Sequence, residues 1–526
     1  MTAAQPYDVI FVGAGHNALV AAAYLVKAGR SVCLLERAPV PGGLVRSEEL
    51  TLPGFVHDTY SALHPSFVHG PVFSELGAEL GEHGLRYVQG PVSTGASLPD
   101  GRTSVISTDP DALADELDRL GERGAWIRLT TDVAPHLKSL IPLLGMDLAS
   151  PEAAGLLDRL RRDGADTALP YATLLTGTGH DLLGERFRSA ELRCALLPWL
   201  LHLGIGPEEA GGALWAGLLP ALLLGGNPAP MGGSGRLAEA LSALVTGHGG
   251  EIRTDVEVNA VLVEDGRAVG VRTEHGEQLR ASVAVVASTT PDQLYGRLLR
   301  EAGAVPAAIR AQAARYRYRR GCFQLNLALS GKPRFTDPRL DQGGAFNLGR
   351  GVEELIISVR QADDGLLPAH PSISWHEPTA LDSGRAPAGR AVVRLQVLDA
   401  PLRPVGDAGG EINTDGGWTQ SVSDRFADRV IAEAAEHVKG LPELVMARHL
   451  LSPTELARAS PNVGPGDHAA GHNALSQGFE QRPIPAHRGG YGTAVPGMYL
   501  IGAATWPGPG INGASGRAVA RALLAG

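Results

Sequence analysis

The sequence predicts an α/β fold, and three observations lead to this class. The chain begins with a short β-branched strand, a glycine turn, a helix and a second strand, all within residues 7–36. The stretch from Asp109 to about Leu201 has the apolar spacing of amphipathic helices. Strand-like runs return at 251–288 and at 323–397. We therefore expect a parallel sheet completed by distant segments, a mixed β-sheet in a second domain, and a helical lobe.

The first glycine turn carries a dinucleotide-binding pattern. The strand Tyr7–Val12 leads directly into Gly13-Ala14-Gly15-His16-Asn17-Ala18, which matches G-x-G-x-x-G/A. The two glycines permit a tight turn and close approach of the backbone to a pyrophosphate, and the final alanine is small enough for close helix packing. The free N–H groups of the following helix would meet the phosphate charge. The second strand ends at Glu36, whose carboxylate can accept hydrogen bonds from ribose hydroxyls.

This order of elements predicts a Rossmann-like domain that binds NAD or FAD, since both carry an ADP half. Pro39-Val40-Pro41-Gly42-Gly43 follows Glu36, where an uninterrupted Rossmann series would have its next helix. A second G-x-G-x-x-A at 233–238 follows Asn227-Pro228-Ala229-Pro230, which cannot be a central strand. We do not interpret it as a second nucleotide site.

Together with these motifs, three further segments resemble the phytoene desaturase-like flavoproteins, a carotenoid-type branch of the wider amine oxidase-like group. They are Pro53–Asp58, Pro230–Leu237 and the terminal stretch Pro496–Gly513. The resemblance implies FAD as the cofactor, with main-chain contact to the adenine at Val258. The cofactor-binding residues that it implies are Gly13, Ala14, Gly15, His16, Asn17, Ala18, Glu36, Arg37, Gly42, Gly43, Leu44, Val45, Val258, Gly502, Ala503, Gly510, Ile511, Asn512, Gly513 and Ala514.

The resemblance also predicts an FAD-binding domain that is discontinuous in sequence. Its three parts are residues 1–100, 229–300 and 481–526, while 101–228 form a helical substrate lobe and 301–480 a substrate domain containing a β-sheet. The last part ends in a predicted helix from about Ala514, whose positive end could stabilise electron density at the reduced flavin. Many flavoproteins of the wider group have an acid after the glycine of the preceding strand. Here Ala503 follows Gly502, so main-chain groups are the alternative for the ribityl contacts.

Four polar residues are the candidates for catalysis: His57, Asp58, His64 and His472, with Trp506 as an apolar wall. The resemblance places them near the flavin. Two interpretations stay open, because such groups can accept a proton or orient substrate, and they can equally hold the loops around the cofactor by hydrogen bonds. Asp467-His468 and His472-Asn473 lie close together but have no ligand register, so no metal site is predicted.

The most apolar stretches are 195–201 and 213–224. Each is too short to span a bilayer and contains a proline. Core helices, the wall of an apolar substrate cavity and a surface resting on a membrane remain three interpretations. The basic, aromatic run Arg315–Arg320 is interpreted as a solvated face, with an anionic lipid or acidic substrate group as the less favoured use. A strand is predicted at Glu354–Val359.

Composition excludes some classes of function. The net charge of −10 argues against nucleic acid as a partner. Three cysteines cannot form a disulfide framework and suggest a reducing compartment. The glycine motif begins too soon for a cleaved leader to precede it, so we expect a cytoplasmic protein, with peripheral membrane contact as an option.

The sequence thus predicts an FAD-dependent oxidoreductase, a dehydrogenase, desaturase or oxidase that acts on a C–C or C–N unit of a largely apolar small molecule. No second dinucleotide domain is recognisable, so oxygen, a quinone or another carrier would reoxidise the flavin. A redox-neutral flavin-dependent isomerase and a non-catalytic flavin-binding interaction protein are the alternatives. The sequence leaves the substrate and the oligomeric state open.

Overall fold

The structure is a computed structural model that describes residues 6–526. Its strands are, in chain order, β1 Tyr7–Val12, β2 Val32–Leu35, β3 Ser47–Glu48, β4 His57–Asp58, β5 Tyr87–Val88, β6 Val92–Ser97, β7 Thr103–Ser107, β8 Ala229–Pro230, β9 Glu251–Arg253, β10 Val258–Glu264, β11 Arg267–Thr273, β12 Gln278–Ala287, β13 Arg320–Leu329, β14 Ala345–Leu348, β15 Leu366–Leu367, β16 Ile373–His376, β17 Ala391–Pro401, β18 Gly406–Asp407, β19 Val445–Leu451 and β20 Met498–Leu500.

Helices connect these strands. They are α1 His16–Lys27, α2 Pro65–Val68, α3 Pro71–Glu82, α4 Pro110–Arg119, α5 Arg123–Leu143, α6 Pro151–Asp163, α7 Tyr171–Thr176, α8 Gly179–Arg186, α9 Ala190–Leu196, α10 Trp199–His202, α11 Gly212–Leu224, α12 Gly235–Gly247, α13 Pro291–Gln293, α14 Ala307–Ala313, α15 Val352–Asp363, α16 Gln420–Ala435, α17 Leu441–Leu444, α18 Pro453–Ala459 and α19 Ala514–Ala525.

The first sheet joins strands from both ends and the middle of the chain. β20, β12, β1, β2 and β9 lie side by side and parallel, and β11 and β10 extend β12 by antiparallel pairing. The β10–β11 hairpin turns at Asp265 and Gly266, which have φ of +48° and +77°, as the predicted Asp-Gly turn requires. The predicted buried strand at 281–288 is the end of β12 and pairs with β1.

One face of this sheet is covered by α1, α12 and α19. Six residues of α1 from Ala18 to Ala23 are fully buried, because small side chains let the helix approach both the sheet and α19 closely. The strands themselves are apolar throughout, as expected for parallel strands that are covered on both faces.

The second sheet is mixed, with the strand order β19-β13-β17-β16-β14-β6-β7. Its pairs are antiparallel except β14 with β6. The predicted domain boundary at residue 100 falls in the turn between β6 and β7, and both strands pair within this sheet. We therefore propose to count 92–107 with the sheet of the substrate domain, because backbone hydrogen bonds join them.

Helices α4 to α11 pack into one lobe. Asp109 caps α4 by accepting the Ala112 N–H, as its sequence position suggests. The apolar stretch 213–224 is α11, which is buried on nearly every side within the core of this lobe. This placement agrees with the interpretation as a core helix. Among residues 6–526, no helix combines the length and hydropathy that crossing a membrane requires.

Two local predictions were wrong. Glu354–Val359 was expected to be a strand but lies within α15, because the buried residues Val352, Leu355, Val359 and Ala362 recur with helical spacing once the flanking positions are included. The run Arg315–Arg320 was expected to be a solvated face, but it ends in a buried ion pair at Arg320, which contacts internal carboxylates.

Candidate flavin site

The first glycine turn lies at the carboxyl ends of β1 and β2, the edge where open α/β sheets bind ligands. Gly13 adopts a φ of +92°, and its N–H donates to the Leu35 carbonyl at 2.8 Å. α1 begins at His16, and among residues 6–526 no side chain caps its first turn. The first N–H groups of α1 therefore keep their capacity to bind an anion. This arrangement fits a pyrophosphate.

The second glycine turn packs directly on the first. The Gly42 N–H donates to the Ala14 carbonyl at 2.8 Å, and Gly42 forms an isolated parallel bridge with Gly15. A Cβ on Gly43 would lie 3.3 Å from Gly15 Cα, and a Cβ on Gly42 would lie 2.6 Å from Ala238 Cβ. Side chains at these positions would push the two turns apart, which explains why both are glycine.

Glu36 lies over the same turn. Its Oε2 accepts the Ala14 N–H at 2.8 Å, and its Oε1 accepts the Ala38 N–H at 3.0 Å. The carboxylate is therefore held at the carboxyl end of β2, the position from which a dinucleotide fold contacts the ribose.

Two other predicted cofactor residues also have protein partners. Arg37 donates from Nη2 to the carbonyls of Arg458 and Ala459 at 3.2 and 3.0 Å. The Val258 carbonyl accepts from Arg297 Nη1 at 2.8 Å. Their contacts with FAD remain predictions.

The C-terminal segment reaches the first turn through α19. The Gly502 N–H donates to Ser515 Oγ at 3.0 Å, and this hydroxyl donates to Asn17 Oδ1 at 2.9 Å. Gly513 precedes α19 with a φ of +71°, and a Cβ there would lie 3.2 Å from Val20 Cγ2. The N-terminus of α19 is thus fixed against α1.

The segment between Gly502 and α19 has fewer contacts with the rest of the chain. The Ala503 carbonyl accepts from Arg482 Nη2 at 2.6 Å. Asn512 Oδ1 accepts the Ala514 N–H at 2.9 Å and so caps α19. Gly510 has a φ of +112°, which only glycine adopts readily, and it leads into Ile511 in the loop before α19.

Ser288 was missed by the sequence analysis, although it lies where the glycine segments meet. Cβ atoms placed on Gly13, Gly15 and Gly502 would lie 3.5, 3.6 and 3.5 Å from atoms of Ser288. Its N–H donates to the Val12 carbonyl at 2.9 Å. The signal that could have found it is its position directly after a buried strand that rejoins the N-terminal sheet.

His57 and Asp58 are adjacent in β4, and both are buried. Asp58 Oδ1 accepts from Ser47 Oγ at 2.8 Å and from the Ser234 N–H at 2.7 Å, while Oδ2 lies 3.1 Å from Arg385 Nη2. Burial raises the pKa of Asp58, but the Arg385 charge and the Ser234 N–H outweigh it, so the pKa falls below its ordinary value. Burial and the Arg385 charge lower the pKa of His57 to about 4.

His64 is fully buried between two hydroxyl groups. Its Nε2 lies 2.6 Å from Ser234 Oγ, and its Nδ1 lies 3.0 Å from the Tyr87 hydroxyl. Burial lowers the pKa of His64 to about 3, so the imidazole is neutral at pH 7.

His472 shares no hydrogen-bond partner with these residues among residues 6–526. Its Nε2 lies 3.0 Å from Glu209 Oε2, and Glu209 Oε1 pairs with Arg320 at 3.0 Å. Arg320 also pairs with Asp363 at 3.0 Å. His472 therefore belongs to an ion-pair network between the helical lobe and the second sheet.

Trp506 lies in the core of the helical lobe. Its indole Nε1 donates to the Leu143 carbonyl at 2.6 Å, and its ring packs on Phe479 with centroids 4.9 Å apart. Leu44 and Tyr60 pack against the same core while staying partly exposed. The apolar lobe therefore reaches the second glycine turn, as expected for an apolar wall beside the flavin. Within residues 6–526, no cluster of ligand side chains suited to a metal is present.

A family model described as flavin containing amine oxidoreductase matches residues 19–361. The chain belongs to this family. It is an FAD-dependent oxidoreductase, and the cofactor and enzyme class predicted from the sequence are confirmed.

Relatives in this family align along almost the whole chain. A pyridine nucleotide-disulfide oxidoreductase domain-containing protein 2 of Rattus norvegicus is 27% identical over 98% of this chain and 93% of its own. One of the limonene dehydrogenase subunits of Castellaniella defragrans is 26% identical over 97% and 92%, respectively. A zeta-carotene-forming phytoene desaturase of Myxococcus xanthus is 26% identical over 96% and 91%. The predicted resemblance to phytoene desaturases is thus confirmed.

Solved structures share the fold at lower identity. An oxidoreductase from Methanosarcina mazei superposes with a TM-score of 0.60 at 16% identity, covering 98% of this chain and all of that one. Cyclohexylamine oxidase from Brevibacterium oxydans gives a TM-score of 0.57 at 17% identity, with 99% of both chains covered. The predicted α/β fold class with its FAD-binding domain is confirmed.

Proposed function

We propose that this enzyme dehydrogenates a C–C unit of a largely apolar small molecule. The supporting observation is that the apolar core of the helical lobe extends to the second glycine turn through Leu44, Tyr60 and Trp506. An apolar wall beside the flavin holds a hydrocarbon without requiring partners for polar groups. Relatives that align over the whole chain are named for limonene and phytoene, which supports a C–C over a C–N unit.

The proposed residues hold the cofactor from three directions. The N-terminus of α1 and the turn Gly13–Gly15 would bind the pyrophosphate, Glu36 the ribose, and the N-terminus of α19 the flavin end. When bound, FAD accepts the electron pair and hydrogen removed from one substrate carbon. The neighbouring carbon loses a proton, which leaves to water or to a side chain, and a C=C bond forms. Oxygen or a quinone is the proposed final electron acceptor.

Anaerobic mixing of the purified enzyme with limonene, phytoene or cyclohexylamine tests this function. Loss of the oxidised flavin absorbance with one of the two alkenes, together with a product that lacks two hydrogens, is the expected result. Product without net loss of absorbance would indicate an isomerase. Loss of absorbance with the amine alone would assign the reaction to a C–N unit, and no change with a wide panel would favour a flavin-binding protein without catalysis.

The polar candidates His57, Asp58, His64 and His472 remain proposed catalytic residues. If one of them is a base, its replacement by Gln or Asn lowers turnover about 10²- to 10⁴-fold and leaves the flavin spectrum intact. Each has protein partners, a geometry that also suits holding the loops in place. Near-normal turnover of all four variants at saturating substrate would show that positioning alone carries the reaction.

A further inference from the structure

The second sheet has one apolar face and one polar face along its central strands. Alternate residues of β13 and β17, such as Leu325 and Leu395, belong to the apolar core that packs on α16. The residues between them carry polar side chains that lie beside each other in the strand register. The paired positions are Asn326 with Arg394, Arg394 with His376, and Gln324 with Gln396.

Arg394 is buried, and the protein does not neutralise it. Its Nη2 donates to Gln396 Oε1, but Nε and Nη1 have no hydrogen-bond partner. No carboxylate within residues 6–526 forms an ion pair with it. A guanidinium stays charged in proteins, and burying an unpaired charge is costly. Arg394 is therefore a cation that lacks its counter-charge.

The nearby carboxylate is already in use. Asp58 accepts from Ser47 and Ser234 and pairs with Arg385 at 3.1 Å, so its charge is matched. The surrounding imidazoles are neutral at pH 7, because burial above all lowers the pKa of His57 to about 4 and the pKa of His376 to about 3. One net positive charge remains in this region.

The neighbours of Arg394 add further unused donors. Both ring nitrogens of His376 and the Nδ2 of Asn326 have no partner, and these side chains are 4% and 0% exposed. A neutral imidazole donates one N–H, and an amide donates two. Several donors around one cation form a site for a group that only accepts hydrogen bonds and carries negative charge.

This cluster borders an internal space next to the flavin site. Burial and then the charges of His468 and Arg394 lower the pKa of His202 in α10 to about 3, yet His202 retains intermediate exposure. A side chain that is deeply enclosed but accessible lines an internal cavity. Gln324 Nε2 also donates to the Thr59 carbonyl at 3.0 Å, and the Thr59 N–H donates to the Arg46 carbonyl at 3.0 Å, close after the second glycine turn.

We propose that Arg394, Asn326 and His376 bind a carboxylate group of the substrate. The inference rests on the proposed function, because it places the substrate between the polar face of this sheet and the flavin. A carboxylate carries a single charge that matches the single unpaired cation, whereas a phosphate carries about two at pH 7. The substrate is then an amphipathic acid, whose apolar part contacts the helical lobe.

Calorimetric titration of the FAD-loaded enzyme with octanoate and with octanamide tests the site. The two probes differ in charge but have the same length and nearly the same shape. We expect octanoate to bind about 10- to 100-fold more tightly, the range of a hydrogen bond to a charged group. Arg394→Met should abolish this preference, and Arg394→Lys should restore part of it. Arg448→Met is the matched control, since Arg448 lies in the same sheet but pairs with Asp424 and Asp428.

The outcomes separate this site from the proposed function. Equal binding of the two probes by the wild-type enzyme would overturn the carboxylate site and leave the flavin chemistry untouched. Loss of FAD in the Arg394→Met protein would show that the guanidinium serves the cofactor, and would also overturn the site. A wild-type protein that contains no FAD but prefers octanoate would retain the site and refute the proposed function.

A second variant guards against a folding defect. Asn326→Asp places a carboxylate at the position paired with Arg394, so the unpaired charge is neutralised inside the protein. We expect an unfolding midpoint equal to or above that of the wild type, together with loss of the octanoate preference. An Asn326→Asp protein that folds and still prefers octanoate would contradict the proposal.

Discussion

Ser234 shows how single polar residues hold the flavin region together. Its hydroxyl contacts His64 Nε2 at 2.6 Å, and its N–H donates to Asp58 at 2.7 Å. Ser47 Oγ bonds Asp58 and accepts the Gly235 N–H at 3.0 Å. The start of α12 is thus tied to the segment after the second glycine turn. Hydrogen bonds of this kind cost little when made but are costly to leave half-made in a buried site.

His64 should make the stability of the protein depend on pH. Its pKa is about 3 in the folded protein and 6.5 ordinarily. Between these values the unfolded chain binds a proton that the folded protein does not, so the free energy of unfolding falls as the pH falls. The slope is at most about 1.4 kcal/mol per pH unit for one group. Denaturant titrations of wild type and His64→Gln between pH 7 and pH 4 should show a weaker dependence in the variant.

The matched control for this measurement is His275→Gln, because the His275 side chain is 82% exposed. Its curve should run parallel to that of the wild type. Parallel curves for wild type and His64→Gln would instead show that His64 contributes nothing to the acid sensitivity.

Gly15→Val should abolish retention of FAD. A Cβ at Gly15 would lie 3.6 Å from Ser288 Oγ, an ordinary contact distance, so the protein itself has room for the first carbon. The branched side chain would occupy the space left for the pyrophosphate. The measurement is the ratio of flavin absorbance to protein after gel filtration. Gly155→Val is the control, because a Cβ at Gly155 meets nothing within 4 Å, and its flavin content should equal that of the wild type.

At the scale of elements, α1 and α19 form the contact that brings the chain ends together. Their approach is close enough that a Cβ on Gly516 would lie 2.0 Å from the Asn17 carbonyl oxygen. Ser515, next to it, links Gly502 with Asn17. The position of the C-terminal glycine segment relative to the first turn therefore depends on one small residue in each turn of α19.

Gly516→Ala should lower the free energy of unfolding by about 1–3 kcal/mol, the usual cost of overpacking a well-filled contact. It should also weaken FAD retention, because α19 moves away from α1. Thermal denaturation and flavin content measure the two effects. Gly81→Ala in α3 is the control, since a Cβ there meets nothing within 4 Å. A Gly516→Ala protein as stable as the control variant would show that α19 adjusts without cost.

Elements also show where prediction from sequence failed. The run Glu354–Val359 is β-branched and apolar, so it resembles a buried strand. It forms part of α15 because Val352 and Ala362 extend the buried positions with a helical period. Short apolar runs are ambiguous in this way, and only the partner surface, here β17 and the helical lobe, decides which period is used.

At the scale of the whole molecule, several large apolar side chains remain at the surface of the helical lobe. Ile127 and Ile141 in α5 are 54% and 48% exposed, and Leu222 and Leu224 at the end of α11 are 42% and 41% exposed. Such side chains suit transient contact with a lipid surface. They do not change the observation that no helix of residues 6–526 meets the requirements of a membrane span.

We expect any membrane-associated enzyme to be released without detergent. Cell membranes carrying the enzyme would be washed with high salt and then with alkaline carbonate, and FAD fluorescence would be followed in the supernatant. Release by either wash is the expected result, because the apolar residues of 213–224 are mostly buried in the lobe. Retention until detergent is added would refute this expectation.

The sequence by itself determined the cofactor and the general fold. The order of strand, glycines, helix, strand and acid within residues 7–36 is local, and each residue type there has a backbone reason that neighbours in the chain reveal. For the same reason Gly42, Gly43 and the C-terminal glycines were recognisable as parts of one site. Local order also located the helical lobe, because its apolar spacing extends over many turns.

The tertiary structure alone decided which distant residues share a space. Ser288 meets three glycine segments, and His472 pairs with Glu209 away from His57 and Asp58, although nothing in their own surroundings in the sequence indicates this. Arg394 looks like an ordinary strand residue until its strand is paired and the only nearby carboxylate is found bound to Arg385. Charge compensation and burial depend on what packs from other parts of the chain, so they arise only when the fold is complete.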